Sequence, residues 1–437
     1  MMDSMLRDFA PVAEKPKSLY VHLPFCASKC AYCDFYSFPV AGFPESFQAA
    51  YVDRLLWRID DFCSLFSVDA FETIYVGGGT PTCLADSCFG RLVGALDSMF
   101  GAACKEWTVE ANPESLSREK VDIIGKYRIN RISLGIQSMD DDELTLMGRA
   151  GRAADNVRAL RAVRPLVEKG VALSADLIAA YPARPEERRQ GEAAYGYLTR
   201  HKRLARLKDA IVYLVGQGAK HLSLYDLTVE DGTPLRKSID AGNLVREDED
   251  EAYWVRKEAE RELAACGLAR YEVSNFAAPG AESLHNGAYW AMRSYLGVGP
   301  GGVSTVMFDP RAADGARTSA ARAYSLRIEE EKDIACYVRE PDAKVSVVPL
   351  DKADSAFEMV MMGLRSVRGL DKRRFEARFG LSIGDLFGDS LAKWATYFRD
   401  DDAWLSLNDA GLDILNRILV DMLKAMDKAS VIFAKEQ

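Results

Sequence analysis

The chain has no run of about 18 apolar residues, so nothing in it reads as a membrane-spanning helix. Its opening stretch, MMDSMLRDFAPVAEKPKSLY, has no apolar core of the kind a secretory signal needs. A cytoplasmic location is therefore expected, with any membrane association coming through partners. Positive charge is not in excess: 56 Lys and Arg stand against 65 Asp and Glu, a net charge of −9. That balance argues against duplex nucleic acid as the main partner, because phosphate binding needs a surplus of cations. There is no internal repeat and no low-complexity tract. Histidine is scarce, with four in 437 residues.

What is present is the composition of a water-soluble globular chain, 48% hydrophobic and 28% charged. At roughly 100–200 residues per domain, two or three domains are expected. After a polar leader (1–17), short β-rich runs alternate with helical stretches. SLYVHLP (18–24), TIYVGGG (73–79), WTVEAN (107–112), NRISLGI (130–136), VALSADLI (171–178) and KHLSLYDL (220–227) read as strands. DRLLWRIDDFCSLF (53–66) and AADNVRALRAVRPLVEK (153–169) carry helical spacing between them. This alternation predicts an α/β fold, a partial (β/α) TIM-like barrel over 18–305. The segment 184–209 is locally basic and is expected to be a solvated helix, with a docking surface as the alternative.

Beyond residue 305 the rhythm fades. AARAYSLRIEEEKDIACYV is expected to be helical, and 306–437 is expected to be a smaller, mainly helical domain closing over the barrel mouth. Near its end Leu412, Leu415, Leu419, Met422 and Met426 recur every three or four residues, with Asn408 or Asp409 as cap and a short strand at Trp404–Leu407 before them. A helix–turn–helix DNA reader is a weaker reading of this domain, given the acidity.

Six of nine cysteines are scattered and are expected to be reduced thiols. The other three form HLPFCASKCAYCDFYSF, with Cys26, Cys30 and Cys33 just after the first strand. Three thiolates can hold three irons of a [4Fe–4S] cubane and leave the fourth iron open. That iron can be chelated by the amino and carboxylate groups of S-adenosylmethionine, whose S–C5′ bond then breaks when an electron arrives. Zinc is the competing metal, but a structural zinc wants four ligands and a second Cys/His pair. The nearest extra candidate is His22.

The loop resembles that of the radical S-adenosylmethionine superfamily. The chain as a whole is similar to the oxygen-independent coproporphyrinogen oxidase branch, and most of all to its HemW-type heme chaperones, from about Tyr20 to Thr305 and more weakly over 355–425. The resemblance implies roles for further residues. Gly78, Gly79 and Thr80 in IYVGGGTPT match the glycine motif whose backbone meets the cofactor's amino group. Glu110 in VEANPE matches the carboxylate that binds the ribose hydroxyls. Gln137 in RISLGIQS, Arg149 in MGRAG and Asp176 in SADLI complete the expected cofactor-binding set, with Tyr20 on the cluster strand and Tyr32 in the loop. Functional groups of a barrel gather at the C-terminal ends of its strands, which is where these residues are expected.

His285-Asn286-x-x-Tyr289-Trp290 resembles the HNxxYW signature of heme chaperones. An imidazole ligand with aromatic faces suits heme, while structural packing is the alternative role for His285. The chain departs from its relatives in two places: Gly151 stands where a histidine is common, and AAYPARP replaces a small-Pro-Gly turn. Two functions of different class follow. One is a heme chaperone that binds a [4Fe–4S] cluster, S-adenosylmethionine and heme, delivers heme to target proteins, and takes electrons from a donor such as flavodoxin or ferredoxin. The other is oxidative decarboxylation of coproporphyrinogen III. The decarboxylases have a fourth cysteine two residues after the third, where this chain has Phe35, and a longer N-terminal arm. Both differences favour the chaperone. A radical enzyme acting on another substrate is the third reading.

Overall fold

The computed structural model describes residues 11–185, 194–310, 322–340 and 345–434. Residues 1–10 of the expected leader, and 186–193 of the basic segment, lie outside the described residues.

Six strands follow one another in space in the order of the chain: β1 Ser18–Leu23, β2 Thr73–Gly78, β3 Glu106–Ala111, β4 Arg131–Gln137, β5 Ala172–Ala180 and β6 Ala219–Asp226. All five neighbouring pairs are parallel. Each strand is a run of Val, Ile, Leu and Ala buried with little alternation, as expected where helices cover one face and a filled interior the other. The covering helices include Glu45–Leu65, Asp86–Phe100 and Ala153–Glu168. Helix Ala194–Gly216 buries Leu204, Leu207, Ile211 and Leu214, while Arg203 and Arg206 pair with Glu247 and Asp140. Its basic charge is thus partly neutralised within the fold.

The sheet stays open. On one side β6 pairs with the antiparallel hairpin β7 Ala269–Arg270 and β8 Asn275–Ala277. On the other, β9 Tyr295–Val298 returns parallel to β1 and is followed by antiparallel β10 Val303–Met307, β11 Ser325–Glu330 and β12 Val345–Leu350. This is a partial barrel of twelve strands in the order β12-β11-β10-β9-β1-β2-β3-β4-β5-β6-β8-β7.

Residue 305 falls inside β10, and the sheet continues to Leu350. Of the helix expected over 320–338, Ser325–Glu330 is strand. Leu326, Ile328 and Glu330 are buried in alternation, the period of a strand, and Glu330 pairs with buried Arg58 at 3.2 Å. Only Ile334–Arg339 is helical there.

A second core follows, built from helices Lys352–Gly363, Lys372–Phe379, Ile383–Lys393 and Leu415–Ala434 around Phe375, Phe379 and Phe387. All five heptad-like apolar positions from Leu412 to Met426 are buried in it. Asn408 caps the preceding short helix through Gly411 N at 2.9 Å. This domain packs on the barrel's flank: Val367 N donates to Tyr271 O, Arg374 Nη2 to Met292 O, and Asp413 pairs with Arg270. Arg365 and the chain from Leu412 to Arg417 also face the end of β6 at Leu224–Asp226.

Candidate functional site: the cysteine loop and the rim of the barrel

The cysteine loop leaves β1 and is framed by a two-residue parallel pairing, Phe25–Cys26 with Phe38–Pro39. Ala31 fastens it from both sides, its N–H donating to Met147 O and its carbonyl accepting from Leu235 N. Cys33 N turns back to Cys30 O at 3.2 Å. Tyr32 packs against the small core of Met147, Ile178, Tyr181 and Leu235. The loop is thus held at three points with its thiols half-buried.

Two donors point at the sulfurs. Thr80 Oγ1 lies 3.6 Å from Cys26 Sγ, and Arg149 Nη1 lies 3.6 Å from Cys30 Sγ. Asn112 joins them, its Nδ2 donating to Thr80 Oγ1 at 2.8 Å and its Oδ1 accepting from Arg149 Nη2 at 3.0 Å. Arg149 also donates to Gly135 O and faces Glu114 at 3.7 Å. Asn112 and Glu114 were not singled out from sequence, although they sit two and four residues past Glu110 in the same VEANPE turn. Their geometry also accounts for Gly151: a Cβ there would come within 2.8 Å of Glu114 Oε2, the oxygen that faces Arg149.

The donor set fits a cluster. Burial pushes the Cys26 and Cys33 thiols up, so iron must displace their protons. Among the described residues no three His, Cys, Asp or Glu side chains converge tightly enough for a single ion. A cubane makes no such demand, since each sulfur takes its own iron. His22 is unavailable to a zinc site: Nδ1 meets Tyr20 OH at 3.0 Å and Nε2 meets Tyr36 O at 3.0 Å. Burial lowers its pKa to about 4, so the ring is neutral.

Beside the loop, β2 ends in glycines. A Cβ on Gly79 would stand 2.6 Å from Phe25 O, so only glycine lets the two segments approach. Gly79 N and Thr80 N donate to Leu23 O and Phe25 O. A ligand's ammonium, being only a donor, would therefore be met by carbonyl oxygens. Gly78, at φ 102°, donates its N–H to Glu110 Oε2 at 3.0 Å. Tyr75 OH donates to Glu110 Oε1 at 2.5 Å. Burial raises Glu110 to about 7 and Asp176 to about 6. Asp176 lies four residues short of the end of β5, facing the interior beside Ser133. Gln137 closes β4 with φ 64°, a left-handed conformation costly for a non-glycine residue and typical of functional turns.

His285 lies elsewhere. Its helix, Leu284–Trp290, crosses the N-terminal ends of the strands. Nδ1 meets Thr73 Oγ1 at 2.8 Å, and Nε2 meets Tyr289 OH at 2.9 Å. Burial holds its pKa near 3. The structure therefore brings together Cys26, Cys30, Cys33, Thr80 and Arg149 around the loop, with Gly78 and Glu110 alongside. His285 stands at the start of β2, its ring tilted on that of Tyr75 at 5.2 Å, the tyrosine whose hydroxyl donates to Glu110.

Comparison with known proteins agrees with this geometry. The Radical SAM superfamily family model matches residues 20–190, and the HemN C-terminal domain model matches 350–414. The bovine mitochondrial radical S-adenosyl methionine domain-containing protein 1 is 32% identical, over 94% of this chain and 88% of that protein. The chain belongs to the radical S-adenosylmethionine superfamily. Within it the chain falls in the HemW-type branch. The heme chaperone HemW of Mycobacterium tuberculosis is 31% identical over 68% of this chain and 71% of that protein. That of Lactococcus lactis is 28% identical over 94% of this chain and 98% of that protein. Escherichia coli coproporphyrinogen III oxidase shares the fold, with a TM-score of 0.73 over 96% of this chain and 92% of that one, at 21% identity. The superfamily's cofactors are a [4Fe–4S] cluster and S-adenosylmethionine; when bound, the cluster supplies the electron that cleaves the sulfonium. This chain's residues contribute thiolates, a buried guanidinium beside one sulfur, and paired interior carboxylates.

Proposed function

We propose that this protein is a heme chaperone: it binds heme, holds a [4Fe–4S] cluster on Cys26, Cys30 and Cys33, binds S-adenosylmethionine beside it, and passes heme to a target protein. The observation that carries this reading is the end-to-end likeness to proteins named heme chaperone HemW, which takes in the cluster loop, the His285 helix and the C-terminal domain together. Phe35 supports it, since it stands, 70% exposed, where the decarboxylases carry a fourth cysteine. In this reading Glu110 holds the ribose hydroxyls, Gly78–Thr80 the ammonium, and Arg149 steadies the charge at Cys30. Gln137 and Asp176 line the same side of the interior, with Tyr20 and Tyr32 flanking the cofactor and the loop. A small redox protein of the flavodoxin or ferredoxin type supplies electrons. Among the described residues no helix is long and apolar enough to cross a membrane, so contact with a membrane would come through a partner.

Anaerobic incubation of the reconstituted protein with heme and, separately, with coproporphyrinogen III tests the reading. Heme binding near one per chain with no carbon dioxide release is expected. Robust decarboxylation dependent on S-adenosylmethionine would replace the chaperone with the oxidase. His285→Ala tests the histidine apart from the function. With both ring nitrogens bonded inside the fold, loss of stability with an unchanged Soret band is expected; an altered band would make this imidazole a heme ligand.

A further inference from the structure

A cavity of about 550 Å³ opens between the barrel and the C-terminal domain, large enough for a drug-sized or larger ligand. One wall is the end of β6 with the β7–β8 hairpin. The other is Arg365 and the junction of helices Asp409–Asp413 and Leu415–Ala434. The cavity adjoins the rim already described. Tyr225, 43% exposed on β6, lines both it and the polar interior that holds Glu110 and Asp176.

Its four arginines fall into two pairs. Arg256 and Arg270 are neutralised: Arg256 pairs with Asp226 and Glu260 at 3.0 and 2.8 Å, and Arg270 with Asp413 at 3.0 Å. Arg365 and Arg417, both contributed by the C-terminal domain, form no salt bridge within 4 Å among the described residues, and the carboxylate that acts on Arg365 is buried Glu272, beyond that distance. Each guanidinium instead lies over an indole, Arg365 at 5.8 Å from Trp290 and Arg417 at 5.9 Å from Trp394. Stacking on a ring face orients a guanidinium while leaving its N–H fork open to an anion. Between the two pairs, Tyr225, Val273 and Ile414 offer half-exposed apolar surface. Open cations on one wall and apolar groups beside them suit a ligand with an apolar body and two carboxylates.

We propose that this cavity holds the flat, dicarboxylate macrocycle that the chaperone carries, with its ring along Tyr225, Val273 and Ile414 and its carboxylates on Arg365 and Arg417. This rests on the heme-chaperone reading and adds the place of the cargo to it. It also gives Trp290, the last residue of the HNxxYW motif, a task as the platform that positions Arg365. Among the described residues the cavity wall holds no His, Cys or Met, and the ligand atoms it offers to iron are oxygens.

The test is hemin titration of the full chain with its cluster in place, comparing wild type, the paired Arg365→Gln/Arg417→Gln variant and the paired Arg365→Lys/Arg417→Lys variant. Loss of two charge-assisted contacts should weaken hemin binding by at least about 10-fold in the glutamine pair. The lysine pair should recover part of that loss, which a merely misfolded variant would not. Hemin dimethyl ester, with no carboxylate charge, should bind wild type weakly and be indifferent to the glutamine pair. Unchanged hemin affinity in the glutamine pair overturns the cavity as the site and leaves the chaperone reading intact. No hemin binding by wild type overturns both.

Discussion

The two ends of the barrel are built from the same residue types to opposite purposes. At the base, where strands begin, a buried ion pair is fully engaged. Arg131 Nε pairs with Glu106 at 3.1 Å, and its other nitrogens donate to Ser174, Ala281 O and Glu282 O. Glu106 in turn accepts from Ser283 Oγ, Leu284 N and His285 N. At the rim, where strands end, Glu110 is shifted upward by burial, as is Asp176 deeper in the interior, a glutamine is left-handed, and three thiols share one loop. The base is fastened by a buried ion pair and its hydrogen bonds; the rim gathers thiols, a buried carboxyl and a left-handed turn. In barrels of this type the N-terminal face carries stability and the C-terminal face carries chemistry. The HNxxYW helix belongs to the first face by position, which is why its histidine is expected to matter for folding before it matters for heme.

The sharpest break in that comparison comes from the thiols. Replacing Cys26, Cys30 or Cys33 with Ala should abolish the cluster, read as loss of about four iron and four sulfide per chain and of the broad absorption near 400 nm. Cys63→Ala and Cys336→Ala should retain both. Stoichiometric zinc without sulfide in wild type would end the cluster assignment. The base should respond in the other currency. Arg131→Met leaves buried Glu106 without its ion, which costs about 3–5 kcal/mol in comparable sites. A urea midpoint shifted by that much, with iron content retained in the folded fraction, is the expected result. A small shift would mean that Glu106 is satisfied by the backbone of the His285 helix alone.

Glu110→Ala is a smaller change with a different readout. It should leave iron content intact and weaken S-adenosylmethionine binding by about 10- to 150-fold, the loss of a hydrogen bond to a charged group. Equilibrium dialysis under anaerobic conditions measures it, and unchanged affinity would make Glu110 a structural partner of Tyr75 and Gly78 only.

How far the sequence carried this picture depended on whether the information was local. The six parallel strands lie within one residue of their expected ends, except that β5 runs two residues on to Ala180, because buried parallel strands are short apolar runs closed by turn residues. Cys26, Cys30 and Cys33 were legible for the same reason. What was not legible depended on register. Arg131 and Glu106 are 25 residues apart and meet only because β3 and β4 align Thr108 with Arg131. Thr73 and His285 are 212 apart. The strand at Ser325–Glu330 was hidden by its glutamates, one of which is buried against Arg58, a residue on a distant helix. Asn112 was readable in principle, since it follows Glu110 at a strand end, but nothing in one sequence says that its amide would tie Thr80 to Arg149.

The smallest expected effect lies in the response of the buried carboxyls to pH. An unfolded chain ionises Glu110 near its ordinary 4.5, whereas the folded protein does so only near 7, because burial disfavours the charge. Between those values the folded state holds a proton that the unfolded state has released. The stability this group contributes is therefore full below about 4.5 and is lost as pH rises through 7. Asp176, raised to about 6, acts in the same direction. Burial lowers His22, His221 and His285, which act in the opposite sense up to about pH 6.5, so the share that belongs to Glu110 is read as a difference. In protein prepared without iron, the urea midpoint of wild type relative to Glu110→Gln, which keeps the shape and cannot ionise, should fall between about pH 5 and pH 8, while the contributions of Asp176 and Glu272 remain in both. If wild type and Glu110→Gln trace the same profile, the interior of the rim is wetter than its geometry implies, and Glu110 is already ionised before any ligand arrives.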